Sequence, residues 1–466
     1  MPLQLALTVD RTSRLPLAVQ IRNSLRELVE DGTLRPGARI PSSRQLALDI
    51  RVSRSVVVEA YEQLSAEGYL ESRHGSGTAV SAHAHAPDLT STLVPPDREP
   101  TPEAMWDLRT GTSNVVDFPR HEWIRCVTAV VADASHQELG YSPPAGVPLT
   151  RRVLTSYLGR VRGVRSRPED LMITSGFAQG LALICKVLLD RGHTTLAVED
   201  PGHPGEREFI TSSGLRPIGI PVDDDGLRVD LLEESGVRAV LLTPANQFPT
   251  GARLSQARRE RLIAWAREVD GYILEDDFNS AFLHRSDRLP ALQSLAPDRV
   301  VYAGSASKTL APALRLGWLT APSELMASIE HVRAGWDIGC SGLEQLALAR
   351  FIDSGALDRH QRQLRKEFHR RRQTIRHQLE TCLPGTRLTG RDSGLQAYLQ
   401  LPAHIAEQPL IRAARQYSVL ARGGRFYTMT DTSRPPALVI SYATVDCTGL
   451  AQSLLALGKA YREMPG

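Results

Sequence analysis

Apolar residues recur at helical spacing near the start of the chain. Ile21, Leu25 and Leu28 stand at i, i+4 and i+7, which gives a predicted helix one buried face, and Gly32 with Pro36-Gly37 ends it. A second helix is predicted after Pro41, with Ser42 as its cap, Gln45 reaching back to that cap, and Leu46 and Ile50 on its inner side. Ser53 opens a third, with Val57, Tyr61 and Leu64 inward and Gly68 as a left-handed stop. The run Tyr69 to Arg73, the turn His74-Gly75-Ser76-Gly77 and the run Thr78 to Val80 read as a hairpin. Helix, helix, short turn, helix, hairpin is the order of a winged helix-turn-helix, an α+β head over residues 14–80.

Beyond residue 106 the pattern changes. Short apolar runs alternate with longer helical stretches, the signature of an α/β domain over 106–466. Between the two, residues 81–105 carry Pro95, Pro96, Pro100 and Pro102 among small and polar residues and have little to bury, so they read as a linker. A chain of 466 residues is long enough for more than one core. No apolar run of about 18 residues interrupts it, and the first ten residues, followed by Arg11, lack an export signal's apolar stretch. A soluble, cytoplasmic protein with no membrane partner is expected. The five cysteines, at 126, 185, 340, 382 and 447, show no zinc or redox spacing, so reduced thiols and no metal are expected.

Charge adds a narrower clue. The net charge of +3 and the ten arginines against nine acids in residues 1–80 do not reveal a nucleic-acid binder in bulk. Lysine usage is more telling: among 55 basic residues only Lys186, Lys308, Lys366 and Lys459 are lysines. A lysine in an unusual place therefore points to a chemically required amine.

In a helix-turn-helix the N-terminal end of the third helix enters the major groove. That end carries Ser53, Arg54 and Ser55; Arg54 can contact guanine or clamp a phosphate, and the serines are short donors. Arg44 is placed for phosphate, and Arg73 with His74 for the wing. The competing reading is a set of solvated arginines on a structural three-helix module.

In the large domain, Gly304-Ser-Ala-Ser-Lys308 follows the apolar run Val300 to Ala303, which reads as a strand. Open α/β sheets present ligands at the carboxyl ends of their strands. A lysine there can form a Schiff base with pyridoxal 5′-phosphate, while Ser305, Ser307 and Arg315 can hold the phosphate. A second strand, Tyr272 to Leu274, ends in Glu275-Asp276-Asp277, and Asp276 is the candidate carboxylate for the ring nitrogen; magnesium is the rival ligand for such acids, although no Gly-x-x-x-x-Gly-Lys loop accompanies them. Gly176, Phe177 and Ala178, at the start of another helical stretch, offer backbone donors to a phosphate. His203 can lay a ring over the pyridine face, and Asn246 can place a polar group near its hydroxyl.

These elements, in this order, resemble the fold-type I aminotransferases over residues 106–460. The stretches Leu34-Arg-Pro-Gly-Ala-Arg-Ile-Pro-Ser-Ser-Arg-Gln-Leu-Ala and Val52-Ser-Arg-Ser-Val-Val-Val-Glu-Ala-Tyr resemble the GntR family of bacterial repressors almost position by position. Together the halves resemble the MocR, or GabR-type, subfamily. That resemblance implies an α+β winged helix-turn-helix joined to a pyridoxal-phosphate-dependent transferase domain of fold type I with a smaller C-terminal α+β subdomain. It implies DNA contacts at Arg44, Ser53, Arg54, Ser55, His74 and Gly75, and a homodimer in which Tyr141 reaches the partner subunit's phosphate. It also implies a double-stranded operator and a small-molecule effector, either pyridoxal phosphate or an amine or amino acid. The run His360 to Arg365 with Arg370-Arg371-Arg372 echoes the same subfamily; alone it would be a solvated helix face.

Departures from the family pattern narrow the expectation. Val58 stands where a relative places an additional arginine. Val439 stands where the aminotransferases hold the substrate carboxylate with an arginine, leaving Arg422, Arg425 and Arg434 as substitutes to consider. Phe278 replaces a tyrosine that donates to the ring hydroxyl, and His203 replaces the usual stacking tyrosine or phenylalanine. These departures narrow the expectation to a regulator that retains the cofactor without being a working aminotransferase, and that reads either pyridoxal phosphate itself, as a vitamin B6 sensor, or a small molecule lacking a free α-carboxylate. An active aminotransferase with a vestigial head is the alternative, and a cofactor-free interaction protein a third.

Overall fold

The structure, a computed structural model, describes residues 7, 9–13, 15–73, 77–81, 105–111, 113–283, 289–392, 394–430 and 434–464. The chain divides into two units, Met1–Thr101 and Pro102–Gly466. Among the described residues no helix is long and apolar enough to cross a membrane.

The first unit packs three helices, α1 (Leu17–Glu30), α2 (Ser43–Asp49) and α3 (Arg54–Ala66), against the antiparallel pair β1 (Leu70–Arg73) and β2 (Gly77–Val80). Its core gathers Ile21 and Leu25 from α1, Leu46 from α2, and Val57, Tyr61 and Leu64 from α3. Each such side chain contributes roughly 1.5–3 kcal/mol when fully buried. The inner stripe of α1 ends on Val29, with Leu28 half-buried beside it, because 3.6 residues per turn carry the stripe round by one position. Ser42 caps α2 by accepting from the Gln45 N–H at 3.2 Å. The Gln45 side chain does not reach back; it donates along the helix to Asp49 Oδ1 at 2.9 Å. Arg51 takes φ 56° in the turn before α3, and Gly68 takes φ +82° after it.

The second unit is built on an eight-stranded sheet ordered β4, β11, β10, β9, β8, β5, β6, β7. The strands are β4 (Leu171–Thr174), β5 (Thr195–Asp200), β6 (Arg216–Asp223), β7 (Gly226–Leu227), β8 (Ala239–Leu242), β9 (Tyr272–Asp276), β10 (Val300–Ser305) and β11 (Gly317–Thr320); the short β3 (Trp106–Asp107) precedes them. β6, β5, β8, β9 and β10 run parallel, so their carboxyl ends share one edge. Strand side chains alternate faces. Ile273 and Val300 accordingly enter one core with Leu262 and Trp265, while Leu274 and Val301 enter another with Leu181 and Ile184. After α4 (Arg120–Asp133) and α5 (Pro148–Arg162), helices cover both faces of the sheet: α6 (Phe177–Asp190) and, later in the chain, Ser323–Trp336 on one, Gln256–Glu268 on the other.

A smaller C-terminal subdomain follows. Its four-stranded antiparallel sheet contains β13 (Gln396–Gln400), β16 (Ala437–Ser441) and β15 (Arg422–Gly423), with β12 (Arg387–Leu388) at one edge; β14 (Val419–Leu420) pairs instead with β3. The long helix Ala356–Cys382 packs on it. Arg371 and Arg372 of that helix are buried, not solvated: Arg371 donates to the carbonyls of Tyr442 and Ala443 at 3.1 and 2.7 Å, and Arg372 to that of Thr389 at 2.8 Å. They satisfy carbonyls that the subdomain's backbone leaves open.

Candidate functional site

Lys308 lies three residues beyond the end of β10 and opens into a cavity of about 220 Å³ at the carboxyl edge of the sheet. Its Nζ donates to the Gly111 carbonyl at 3.3 Å and to Ser113 Oγ at 3.4 Å. Burial holds this amine below the usual lysine range, against the opposing pull of Asp276. An amine less firmly protonated is a better nucleophile toward a carbonyl.

Asp276 closes β9 and lines the same cavity, because β9 and β10 run side by side with Asp276 beside Ala303. It is buried, and its Oδ1 has no hydrogen-bond partner. Burial, then the charges of Glu206, Asp277 and Glu199, push its pKa well above the usual carboxylate value. A lone buried carboxylate oxygen is costly unless a cation or N–H reaches it. The flanking acids point elsewhere: Glu275 accepts from the N–H groups of Leu292 and Gln293 at 3.0 and 2.9 Å, and Asp277 pairs with Arg162 at 2.8 Å. Among the described residues no cluster of His, Cys, Asp or Glu has the make-up of a metal site.

At the other end of the cavity, Gly176 caps α6 with φ +89°. A Cβ there would stand 2.9 Å from the Arg315 guanidinium, so only glycine lets the arginine close over the helix start. Phe177, Ala178, Ser305, Ser307 and Arg315 line this end. Helix N–H groups, hydroxyls and a guanidinium together make an anion site. The cavity thus offers a carboxylate at one end, an anion cradle at the other and an amine between them. That arrangement suits a planar ligand with a basic ring nitrogen, a phosphate and a carbonyl.

His203, the residue before the helix α7 (Pro204–Ser212), lines the cavity with its ring centroid 5.3 Å from that of Phe248. Although more than a third of the residue is exposed, desolvation at the cavity wall, then the charges of Lys308, Arg207 and Arg422, moves its pKa below the usual histidine value. Phe278 also lines the cavity. Asn246 is buried beside Gly251 and Gly394 and is not among the lining residues. Tyr141 lies on the surface, 86% exposed. Val439 is fully buried with Phe248, Tyr398 and Tyr427. Of the three substitute arginines, Arg434 donates to the Val222 carbonyl, Arg425 is exposed, and Arg422 stacks on Phe426 with its guanidinium 4.2 Å from the ring centroid.

Sequence reasoning missed several lining residues. Thr110 and Gly111 come from the segment after β3, Gln396 and Ser441 from the C-terminal sheet, and Glu206 from the first turns of α7. None sits in a recognisable motif, and only the folded chain brings them together.

In the first unit, Arg44, Ser53, Arg54 and Ser55 are all exposed at or near the starts of α2 and α3. Ser53 precedes α3, and its Oγ lies 2.9 Å from that of Ser55. Arg73 belongs to β1, although its side chain, with His74 and Gly75, lies outside the described residues.

Comparison with known proteins matches each unit separately. Residues 112–454 match the family described as aminotransferase class I and II, and residues 17–80 the bacterial regulatory proteins of the gntR family. The pyridoxine biosynthesis transcriptional regulator PdxR of Corynebacterium glutamicum is 32% identical over 85% of this chain and 85% of its own. The probable rhizopine catabolism regulatory protein MocR of Rhizobium meliloti is 30% identical over 98% of this chain and 96% of its own. Among solved structures, the α-aminoadipate aminotransferase LysN of Thermus thermophilus, in complex with N-(5′-phosphopyridoxyl)-L-leucine, aligns with a TM-score of 0.68 and 26% identity over 77% of this chain and 92% of its own.

Proposed function

The chain belongs to the MocR-type subfamily of GntR transcriptional regulators, and from that membership we propose that its pocket at Lys308 receives pyridoxal 5′-phosphate as a signal rather than as a catalytic tool. The GntR-type head implies DNA binding, and the aminotransferase fold implies pyridoxal phosphate binding. When bound, the cofactor supplies an electron-withdrawing ring and an aldehyde, which Lys308 can hold as a Schiff base.

The chain's own residues divide the work. The orphan oxygen of Asp276 would accept from a protonated ring nitrogen. Arg315, Ser305, Ser307 and the start of α6 would hold the phosphate. His203 and Phe248 wall the cavity on the side where a ring would lie. Tyr141, standing free on the surface, supports a homodimer in which it completes the partner subunit's phosphate site.

The observation that carries the sensor reading is Val439. All the charges that pyridoxal phosphate needs are present, whereas the position for a substrate-carboxylate arginine is a buried aliphatic in an apolar cluster. The relative named for pyridoxine biosynthesis supports the cofactor itself as effector.

Absorption spectroscopy tests this. Purified protein titrated with pyridoxal phosphate should develop a visible band that Lys308→Ala lacks, and ordinary amino acids should not convert the band stoichiometrically. Such conversion would instead favour an active aminotransferase carrying a vestigial head.

A further inference from the structure

Glu206 lines the same cavity as Asp276 and Lys308, three residues after His203 on α7. It also borders a small adjoining cavity with Glu199, Thr243 and Phe248. Three acids from three elements therefore converge on the ring-nitrogen end of the pocket: Glu206 from α7, Glu199 from β5 and Asp276 from β9. Glu199 is satisfied by the Thr243 N–H and hydroxyl at 2.9 and 2.6 Å. Asp276 keeps its orphan oxygen. The cations acting on the group are Arg207, which donates to the Tyr427 carbonyl at 3.0 Å, and Lys308. Asp277, the remaining acid near Asp276, is neutralised by Arg162. Three carboxyls share two cations in a buried pocket, which favours keeping a proton on one of them.

We propose that Glu206 shares that proton with Asp276 across the cavity: the pair holds it until a cationic pyridine nitrogen meets Asp276, then releases it to solvent, so that pyridoxal phosphate binding is linked to pH. The inference rests on the reading that this pocket takes pyridoxal phosphate. The step balances simply: one carboxyl O–H bond of the Glu206–Asp276 pair breaks, the proton passes to buffer, and the release itself makes or breaks no bond in the ligand.

The electrostatics agree with the geometry. Burial, then the Glu199 charge, pushes Glu206 up to about 8. A pyridinium at Asp276 favours the ionised form of both acids and lowers them again. Because binding releases a proton, raising the pH tightens binding. The slope approaches about tenfold per pH unit while the pair keeps its proton and flattens once the pair has lost it.

Isothermal titration of pyridoxal phosphate into the full-length protein, at several pH values and in buffers of different ionisation enthalpy, counts the protons exchanged. Glu206→Gln should lower the release by up to one proton and flatten the pH dependence of affinity, while Glu206→Asp keeps both. Exchange at Lys308, His203 and the ligand's phosphate is common to all three proteins and cancels in the difference. Glu206→Ala replaces Glu206→Gln if the latter does not fold. Equal proton counts for wild type and Glu206→Gln, both binding the ligand, would overturn the role of Glu206 and leave the pocket's reading intact. A wild-type protein that takes up no pyridoxal phosphate would overturn both.

Discussion

Arg422 on β15 is paired in register with Val439 on β16. The arginine stacks on Phe426, and the valine is sealed in apolar core. Placing an arginine at 439 would therefore put an unpaired guanidinium among Phe248, Tyr398 and Tyr427. Val439→Arg is expected to lose about 3–5 kcal/mol of stability, the scale for an uncompensated buried charge. Thermal unfolding measures it, and a neutral result would mean the cluster can open toward the pocket.

Asp276 gives a prediction on affinity. An amide in its place keeps the shape but loses the charge that a protonated ring nitrogen needs. A hydrogen bond to a charged group is worth roughly 1.5–3 kcal/mol, so Asp276→Asn should weaken pyridoxal phosphate binding by about ten- to a hundredfold. Fluorescence titration reads this directly.

Glu199 predicts a pH dependence of stability. Burial pushes it up to about 7, against the opposing hydrogen bonds from Thr243. In the unfolded chain it ionises near its ordinary value of 4.5. Between those values the folded state holds the extra proton, so this contribution is complete below about 4.5 and is lost as pH rises through about 7. The loss is on the order of 3 kcal/mol. Glu199→Gln, which keeps an acceptor for Thr243, should flatten the fall in Tm between pH 5 and 8.

On the head, Arg54 and Arg44 should separate by kind of contact. Arg54 opens α3 and Arg44 lies on α2; we propose that the first contacts bases and the second phosphate. Arg54→Ala is expected to cost about 1–3 kcal/mol and relax sequence preference, whereas Arg44→Ala should weaken all sequences alike and lower the salt dependence. Operator and scrambled duplexes titrated at two salt concentrations distinguish them.

Much of the head was legible because its signals are local. The inner face of α3, Val57, Tyr61 and Leu64, follows from spacing alone. In α2 the Ser42 cap was readable, while the choice of Gln45 between Ser42 and Asp49 is settled by side-chain geometry that spacing does not encode. In the large domain Lys308 and Asp276 could be picked out because Asp276 ends an apolar strand, Lys308 closely follows one, and strand ends carry ligands. Gln396 and Ser441 could not, since they reach the pocket only through long-range sheet pairing, nor could Thr110, in the segment that follows β3. Glu206 looks like any acid near a helix start until the fold brings Asp276 beside it.

The central claim is that pyridoxal phosphate, held at Lys308, is what the regulator reads. The most direct measurement is operator affinity of the full-length protein as pyridoxal phosphate is added, for wild type and for Lys308→Ala. The account predicts a severalfold or larger change for wild type and none for Lys308→Ala. A wild-type operator affinity that ignores pyridoxal phosphate but shifts with an amino acid would contradict it.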